Sequence, residues 1–113
     1  MATTNQKINN YAFLQDMYRD KYFPTHLVDK GKQILLRLCE QIERQKPADL
    51  KELYVLTHAA TNEFNELSLE FEEADSQIET AARDCIGTDF DFIARAYGFA
   101  TADGEALIAT RDW

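Results

Sequence analysis

The sequence predicts an all-α fold, a single-domain bundle of four to five helices, and three observations support this. Its 113 residues include only four glycines and two prolines. Apolar residues recur at intervals of three and four along most of the chain, which is the spacing of one helix face. No alternating apolar and polar run is bounded by an Asn-Gly or Asp-Gly turn, so strands are not expected. We assign residues 1–113 to one helical domain, with residues 1–9 as a loose N-terminal segment.

Proline separates the first two predicted helices. The first runs from about Asn10 to Lys21, and Pro24 ends it because proline cannot donate a backbone hydrogen bond into a helix. The second runs from about Thr25 to Gln45, with Thr25 available as its cap. Its apolar residues form one broad arc, so this helix is amphipathic and packs one face against the core.

The third predicted helix begins near Pro47, since proline is tolerated in a first turn, and Asp49 suits the positive end of the helix dipole. One side carries a narrow apolar stripe at about 100° per residue. The opposite side mixes polar and apolar residues. We therefore expect a central helix that is covered on two sides. The stripe comprises Leu53, Leu56, Ala60, Phe64, Leu67 and Phe71.

The fourth predicted helix starts at a capping box, in which Ser76 accepts from a backbone amide and Glu79 reaches back. Its apolar phase continues through Gly87, which favours one unbroken helix and places Asp89 within the apolar stripe. A break with a second cap over Thr88 to Asp91 stays open as the alternative.

A short last helix is predicted after Gly98, which closes the fourth. Asp103 or Thr101 caps it. Together the apolar faces predict one hydrophobic core. Its members are Ile34, Leu35, Leu38, Leu53, Leu56, Phe64, Leu67, Ile78, Ile86 and Ile93.

Composition excludes several classes of function. No window approaches about 18 consecutive apolar residues, so no membrane segment is expected. The pI near 4.6 argues against nucleic acid as a ligand, because phosphate binding requires a basic patch. The spacings typical of phosphate loops, zinc sites and serine nucleophiles are missing, so we predict no catalytic residue, metal or cofactor and favour a non-enzymatic role. Without a secretion signal pattern, we expect a cytoplasmic protein with Cys39 and Cys85 reduced.

Charge is distributed unevenly along the chain. Residues 1–62 carry a net charge of +2, whereas residues 63–113 carry a net charge of −10. One interpretation is that the two halves pack together and partly neutralise each other, with the surplus acid keeping the protein soluble. The other is our leading functional hypothesis, in which the acidic half meets a basic protein partner. The predicted partner-binding residues are Glu63, Glu66, Glu70 and Glu73.

A polar cluster on the third predicted helix supports a second hypothesis. Its members are Thr57, His58, Thr61, Asn62 and Asn65. One interpretation is that they bond to backbone carbonyls or join an internal network, as buried polar groups must. The functional interpretation places Tyr54, His58 and Asn62 in a small ligand-binding pocket that faces Asp89 or Arg83. There, His58 would supply acid or base chemistry at neutral pH.

A homodimer is the third hypothesis. It would bury apolar positions such as Val55, Leu69 or Leu36 between two subunits.

Several long segments of the chain resemble a known family. They are MYRDKYFPTHLVDKGKQILL, ELYVLTHAATNEFNEL and SQIETAARDCIGTDFDFIARAYGF, with the closing RDW. Together they resemble a bacterial family catalogued only as a domain of unknown function, number 5713, over about residues 11–113. The resemblance implies a bacterial origin and a small stand-alone domain. It implies no activity, cofactor or site residue.

Overall fold

Six helices build the fold in the computed structural model, which describes residues 3–113, and no strand occurs among these residues. The predicted all-α bundle is confirmed, although three of the six helices are no longer than five residues. In chain order the helices are α1 (Gln6–Asn9), α2 (Gln15–Arg19), α3 (Thr25–Gln45), α4 (Leu50–Glu73), α5 (Thr80–Ala96) and α6 (Gly104–Leu107).

The long helices α3 and α4 form an antiparallel pair at the centre of the molecule. Ion pairs of Lys30 with Glu70 and of Arg37 with Glu63 fix this direction, because the later residue of α3 pairs with the earlier residue of α4. α3 has the predicted bounds, and Pro24 is its N-cap. Gly31 allows a close approach to α4, since a Cβ there would lie only 3.2 Å from the Phe64 ring.

α4 begins at Leu50, which is later than predicted, because Asp49 acts as its N-cap and accepts from the amide of Glu52 at 2.9 Å. The predicted apolar stripe is buried. α3 packs against one side of α4, and α6 packs against another. The expected cover on two sides is confirmed only in part, because α6 covers the Tyr54 and His58 flank of α4 whereas Val55 and Leu69 on its outer face are exposed. All ten predicted core residues listed above are also buried.

The first predicted helix is wrong over half its length, because only α2 is helical within residues 10–21. Leu14 has a left-handed backbone with φ 55°, and its amide donates to the Asp89 carboxylate at 2.6 Å. The ring of Tyr11 stacks on Phe92, with centroids 3.8 Å apart. These contacts with α5 replace the local helical hydrogen bonds that the spacing predicts.

The N-terminal segment is held against the fold from Thr4 onward, where the sequence predicts a loose stretch. Ile8 in α1 is buried. The Glu43 carboxylate accepts from the amide of Thr4 at 2.9 Å and from the Tyr97 hydroxyl at 2.5 Å. Burial of Glu43 alone would raise its pKa, but these hydrogen bonds outweigh burial and lower it. Residues 1–2 of the predicted loose segment lie outside the described residues.

The predicted capping box at Ser76 is wrong. The amide of Ser76 donates to the carbonyl of Phe71 at 2.8 Å, and Asp75 has a left-handed φ of 60°, so these residues close α4. α5 starts only at Thr80. Within the described chain, the buried Ser76 hydroxyl has no hydrogen-bond partner.

α5 continues without a break through Gly87 and ends at Ala96. The prediction of one unbroken helix is therefore confirmed, and the alternative break over Thr88 to Asp91 is wrong. Gly98, at φ 90°, permits the backbone reversal that follows. The Asp103 carboxylate accepts from the amide of Ala106 at 3.1 Å, so the predicted cap of the last helix is also confirmed.

Candidate functional site

The C-terminal segment, residues 103–112, lies along the polar flank of α4. His58 donates from Nε2 to the carbonyl oxygen of Ala106 over 2.7 Å, since a carbonyl oxygen only accepts. The ring of Tyr54 stacks on the ring of His58, with centroids 6.0 Å apart. The Tyr54 hydroxyl accepts from the amide of Asp103 at 3.2 Å. These two side chains therefore bind the backbone of the C-terminal segment.

Asn65 continues this contact toward the end of the chain. Its Nδ2 donates to the carbonyl of Thr110 at 3.1 Å, and its Oδ1 accepts from the amide of Asp112 at 3.0 Å. The buried hydroxyl of Thr61 donates to the carbonyl of Thr57 at 2.8 Å. Most of the polar cluster thus bonds to backbone groups, which agrees with the first of its two interpretations.

The four residues predicted to bind a ligand do not come together. Tyr54 and His58 are neighbours, whereas Asn62 is exposed on the outer face of α4. Asp89 faces the residues before α2 instead. The predicted juxtaposition of His58 with Asp89 or Arg83 is wrong, because α6 packs against both α4 and α5. Arg83 donates from Nε to the carbonyl of Trp113 at 3.1 Å.

Asp89 forms a buried polar centre of its own, with only 3% of its surface exposed. Its two carboxylate oxygens accept from the Tyr11 hydroxyl and from the Leu14 amide, each at 2.6 Å. Burial raises the pKa of Asp89, and the two hydrogen bonds oppose that rise. Burial and the hydrogen bond to Asp89 also raise the pKa of Tyr11.

A cleft of about 540 Å³ opens beside this centre, and we call it the α2–α5 cleft. Its walls include three carboxylates, and no lysine or arginine lines it. The half-buried thiol of Cys85 borders it, and burial raises the pKa of that thiol. The cleft therefore combines negative charge with neutral polar groups. Its charged and hydroxyl-bearing walls are Tyr11, Asp16, Asp84, Thr88 and Asp89.

A second cleft of about 640 Å³ lies on the other side of α5, and we call it the α5–α6 cleft. Asp84 and Thr88 line both clefts, so one strip of α5 forms their shared wall. Among the described residues Arg83 is the only cation that lines it, and that side chain is already engaged with Trp113. The acids that line this cleft are Asp84, Asp91, Asp103 and Glu105.

The predicted partner-binding acids of α4 divide into two pairs. Glu63 bonds to Arg37 over 2.6 Å, and Glu70 bonds to Lys30 over 2.5 Å. These contacts agree with the interpretation in which the two halves of the chain partly neutralise each other. Glu66 and Glu73 are exposed, and no ion pair engages either of them within residues 3–113.

No group of three or more His, Cys, Asp or Glu side chains in residues 3–113 is arranged to hold a metal ion. None of the helices described has the length and apolar character needed to cross a membrane.

The fold and its clefts define a small all-helical protein with acidic grooves on both sides of one helix. The chain belongs to the family of unknown function DUF5713, whose match covers residues 7–113. No curated protein and no solved structure matches the chain.

Proposed function

We propose that this protein is a non-enzymatic interaction module that binds a basic segment of a partner protein along α5. The observation that carries this proposal is the pair of clefts that share the Asp84 and Thr88 wall. Six carboxylates line them, against one arginine. These are Asp16, Asp84, Asp89, Asp91, Asp103 and Glu105.

The balance of charge distinguishes these clefts from the groove between α3 and α4, where three acids of α4 lie beside Lys30 and Arg37. A cleft lined by one sign of charge concentrates the potential and attracts ligands of the opposite sign more strongly than a flat surface does. Glu63 and Glu70, by contrast, already face cations of α3. We therefore move the proposed partner surface from the predicted α4 acids to α5.

Existing ion pairs near the clefts are compatible with this role. Arg95 contacts Asp91 at 2.9 Å, and Arg111 contacts Glu105 at 3.3 Å. Both are surface pairs, which contribute little to stability, typically about 0–1 kcal/mol. An arginine or lysine from a partner can therefore compete for these carboxylates at low cost.

The alternative of a ligand pocket at His58 has less support. Nε2 of His58 bonds to the Ala106 carbonyl, and the Tyr54 hydroxyl accepts from the amide of Asp103. The polar groups that would bind a ligand are therefore already bonded to the C-terminal segment. A ligand there would have to displace the C-terminal segment.

A cytoplasmic, bacterial setting belongs to the same proposal. Its support is that Cys39 and Cys85 are both free thiols, which fits a reducing compartment, and that several long segments of the chain resemble a bacterial family.

Affinity capture with charge-reversed variants tests the proposed function. Immobilised wild-type protein is incubated at low salt with an extract of the cells that express it, in parallel with Asp84→Lys and Glu72→Lys. Glu72 is exposed and lies outside both clefts, so it controls for net charge. We expect a basic partner that wild type and Glu72→Lys retain, that Asp84→Lys loses, and that about 0.5 M salt releases. A partner set that Asp84→Lys retains in full would contradict the proposal.

A further inference from the structure

The outer face of α4 carries two of the three large apolar side chains that are most exposed in the described residues. Val55 is 65% exposed and Leu69 is 55% exposed. They lie seven residues before and seven residues after Asn62, which is exposed at the middle of the helix. At about 100° per residue, both point within about 20° of the direction of Asn62. They therefore belong to one continuous strip.

Charge on this strip has the opposite sign at its two ends. Lys51 and Glu73 lie eleven residues on either side of Asn62, also within about 20° of its direction. Both are exposed, and no ion pair engages either one in the part of the chain that the structure describes. α3 and the C-terminal segment cover the flanks of α4 and leave this strip open.

From this arrangement we infer that α4 binds a second copy of the same chain, antiparallel, with a two-fold axis that passes beside Asn62. In that register each position lies opposite its mirror position about Asn62. Val55 therefore packs on Leu69 of the other copy, and Lys51 pairs with Glu73 of the other copy. A two-fold interface must be self-complementary in this way, because the same patch serves both subunits.

The remaining acid of the strip also fits this register. Glu66 points about 40° away from the direction of Asn62. On that side the other copy presents Ala59, which is exposed and uncharged, so Glu66 does not face another acid. No two acids are brought face to face along the strip. The pairing thus buries four exposed apolar side chains, two from each copy, and adds two ion pairs.

The contact is limited to one helix from each copy. Stable protein interfaces bury about 1,200–2,000 Å² in total, and a single helix pair lies at the low end of that range. We therefore expect a dimer that dissociates measurably at micromolar to millimolar concentrations. This surface differs from the α5 clefts, so the inference does not depend on the proposed function.

A charge swap tests the register directly. Sedimentation equilibrium measures dimerisation of wild type, Lys51→Glu, Glu73→Lys and the double variant that carries both changes. Each single variant places like charges opposite each other twice per dimer, and we expect about tenfold weaker dimerisation. The double variant should return to within about threefold of wild type. Lys51 and Glu73 lie about 33 Å apart within one α4, so recovery cannot arise inside one chain.

Two further variants complete the experiment. Glu72→Lys makes the same charge change one residue away, about 100° off the strip, and should leave dimerisation unchanged. Leu69→Asp should abolish the dimer. A wild-type protein that stays monomeric up to about 1 mM would overturn the inference, as would a double variant no better than the single ones.

Cysteine cross-linking gives an independent measurement. Asn62→Cys places two thiols beside the two-fold axis, so mild oxidation should yield a disulfide-linked dimer rapidly. Ala100→Cys, at an exposed loop position, is the control. If the two variants cross-link at the same rate, Asn62 is not at the axis and the inference fails.

Discussion

The imidazole of His58 and the backbone carbonyl of Ala106 lie 2.7 Å apart, and their hydrogen bond joins α4 to α6. Tyr54 and Asn65, on the same flank of α4, also bond to backbone groups of residues 103–112. Residue types that are typical of a ligand pocket thus serve tertiary structure here. α6 is only four residues long and would not be stable alone, so these hydrogen bonds from α4 hold it in place.

Replacing Asn65 should therefore destabilise the protein, whereas replacing Asn62 should not. Asn65→Ala removes two hydrogen bonds to the C-terminal segment, and we expect a loss of about 1–2 kcal/mol in the free energy of unfolding. Asn62→Ala changes an exposed side chain on the same helix and should stay within about 0.5 kcal/mol. Urea denaturation at low micromolar protein concentration measures both.

Hydrogen exchange locates that effect. In Asn65→Ala the amides of residues 106–112 should exchange faster, while those of α3 keep their wild-type rates. Equal acceleration in both regions would contradict a local role for Asn65.

Asp89 should make stability depend on pH in a defined direction. Its folded pKa is raised above the ordinary value of 3.8 because the carboxylate is buried, so the folded state binds a proton more tightly than the unfolded state. Stability from this group therefore increases as pH falls from neutral through the raised pKa toward about 3.8. Asp89→Asn cannot titrate, so the free energy of unfolding of wild type minus that of the variant should grow over this range.

Denaturation of both proteins at several pH values between 7 and 4 measures that difference. Tyr11→Phe removes one hydrogen bond to the carboxylate, which should cost about 0.5–1.5 kcal/mol and raise the pKa of Asp89 further. A wild-type advantage that shrinks as pH falls would show that the sign is wrong.

Two glycines of the long helices should respond oppositely to alanine. Gly31→Ala would place a Cβ 3.0 Å from Leu14 and 3.2 Å from Phe64, so we expect a net loss of about 1–2 kcal/mol despite the better helix propensity of alanine. At Gly87 the nearest atom outside the helix is 3.5 Å away, on Ile108. Gly87→Ala should therefore stabilise the protein by about 0.5–1 kcal/mol.

Thermal or urea denaturation of the two variants checks this contrast. If Gly31→Ala raised the free energy of unfolding, the side chains around position 31 would have moved aside without destabilising the core, and the prediction would be wrong.

Local sequence signals predicted the long helices well. Pro24 and the amphipathic arc that follows it predict the bounds of α3 by local rules alone. The continuity of α5 through Gly87 follows from its unbroken apolar phase. The predictions for residues 10–14 and for Ser76 are wrong because longer-range or competing hydrogen bonds determine the backbone conformation there. Leu14 bonds to Asp89 across 75 positions, and the Ser76 amide is committed to the end of α4.

The candidate site was harder to predict for the same reason. The apolar phase of α5 marks Asp89 as a polar residue in an apolar stripe, but its partners are Tyr11 and Leu14, whose positions no local pattern gives. The sequence indicates that the polar cluster of α4 is covered, which holds for its members other than the exposed Asn62, whereas the segment that covers them follows from packing. The α5 clefts depend on how α2 and α6 meet α5, which periodicity does not encode.

The most direct test of the central claim, that the α5 clefts bind basic side chains, is a titration of the ¹⁵N-labelled protein with a capped tetra-arginine peptide, followed by amide chemical shifts. The account predicts shifts concentrated at cleft residues such as Asp16, Asp84, Thr88 and Asp91, which Asp84→Lys removes and Glu72→Lys preserves. Shifts centred instead on the exposed acids of residues 72–79, or unchanged in Asp84→Lys, would contradict it.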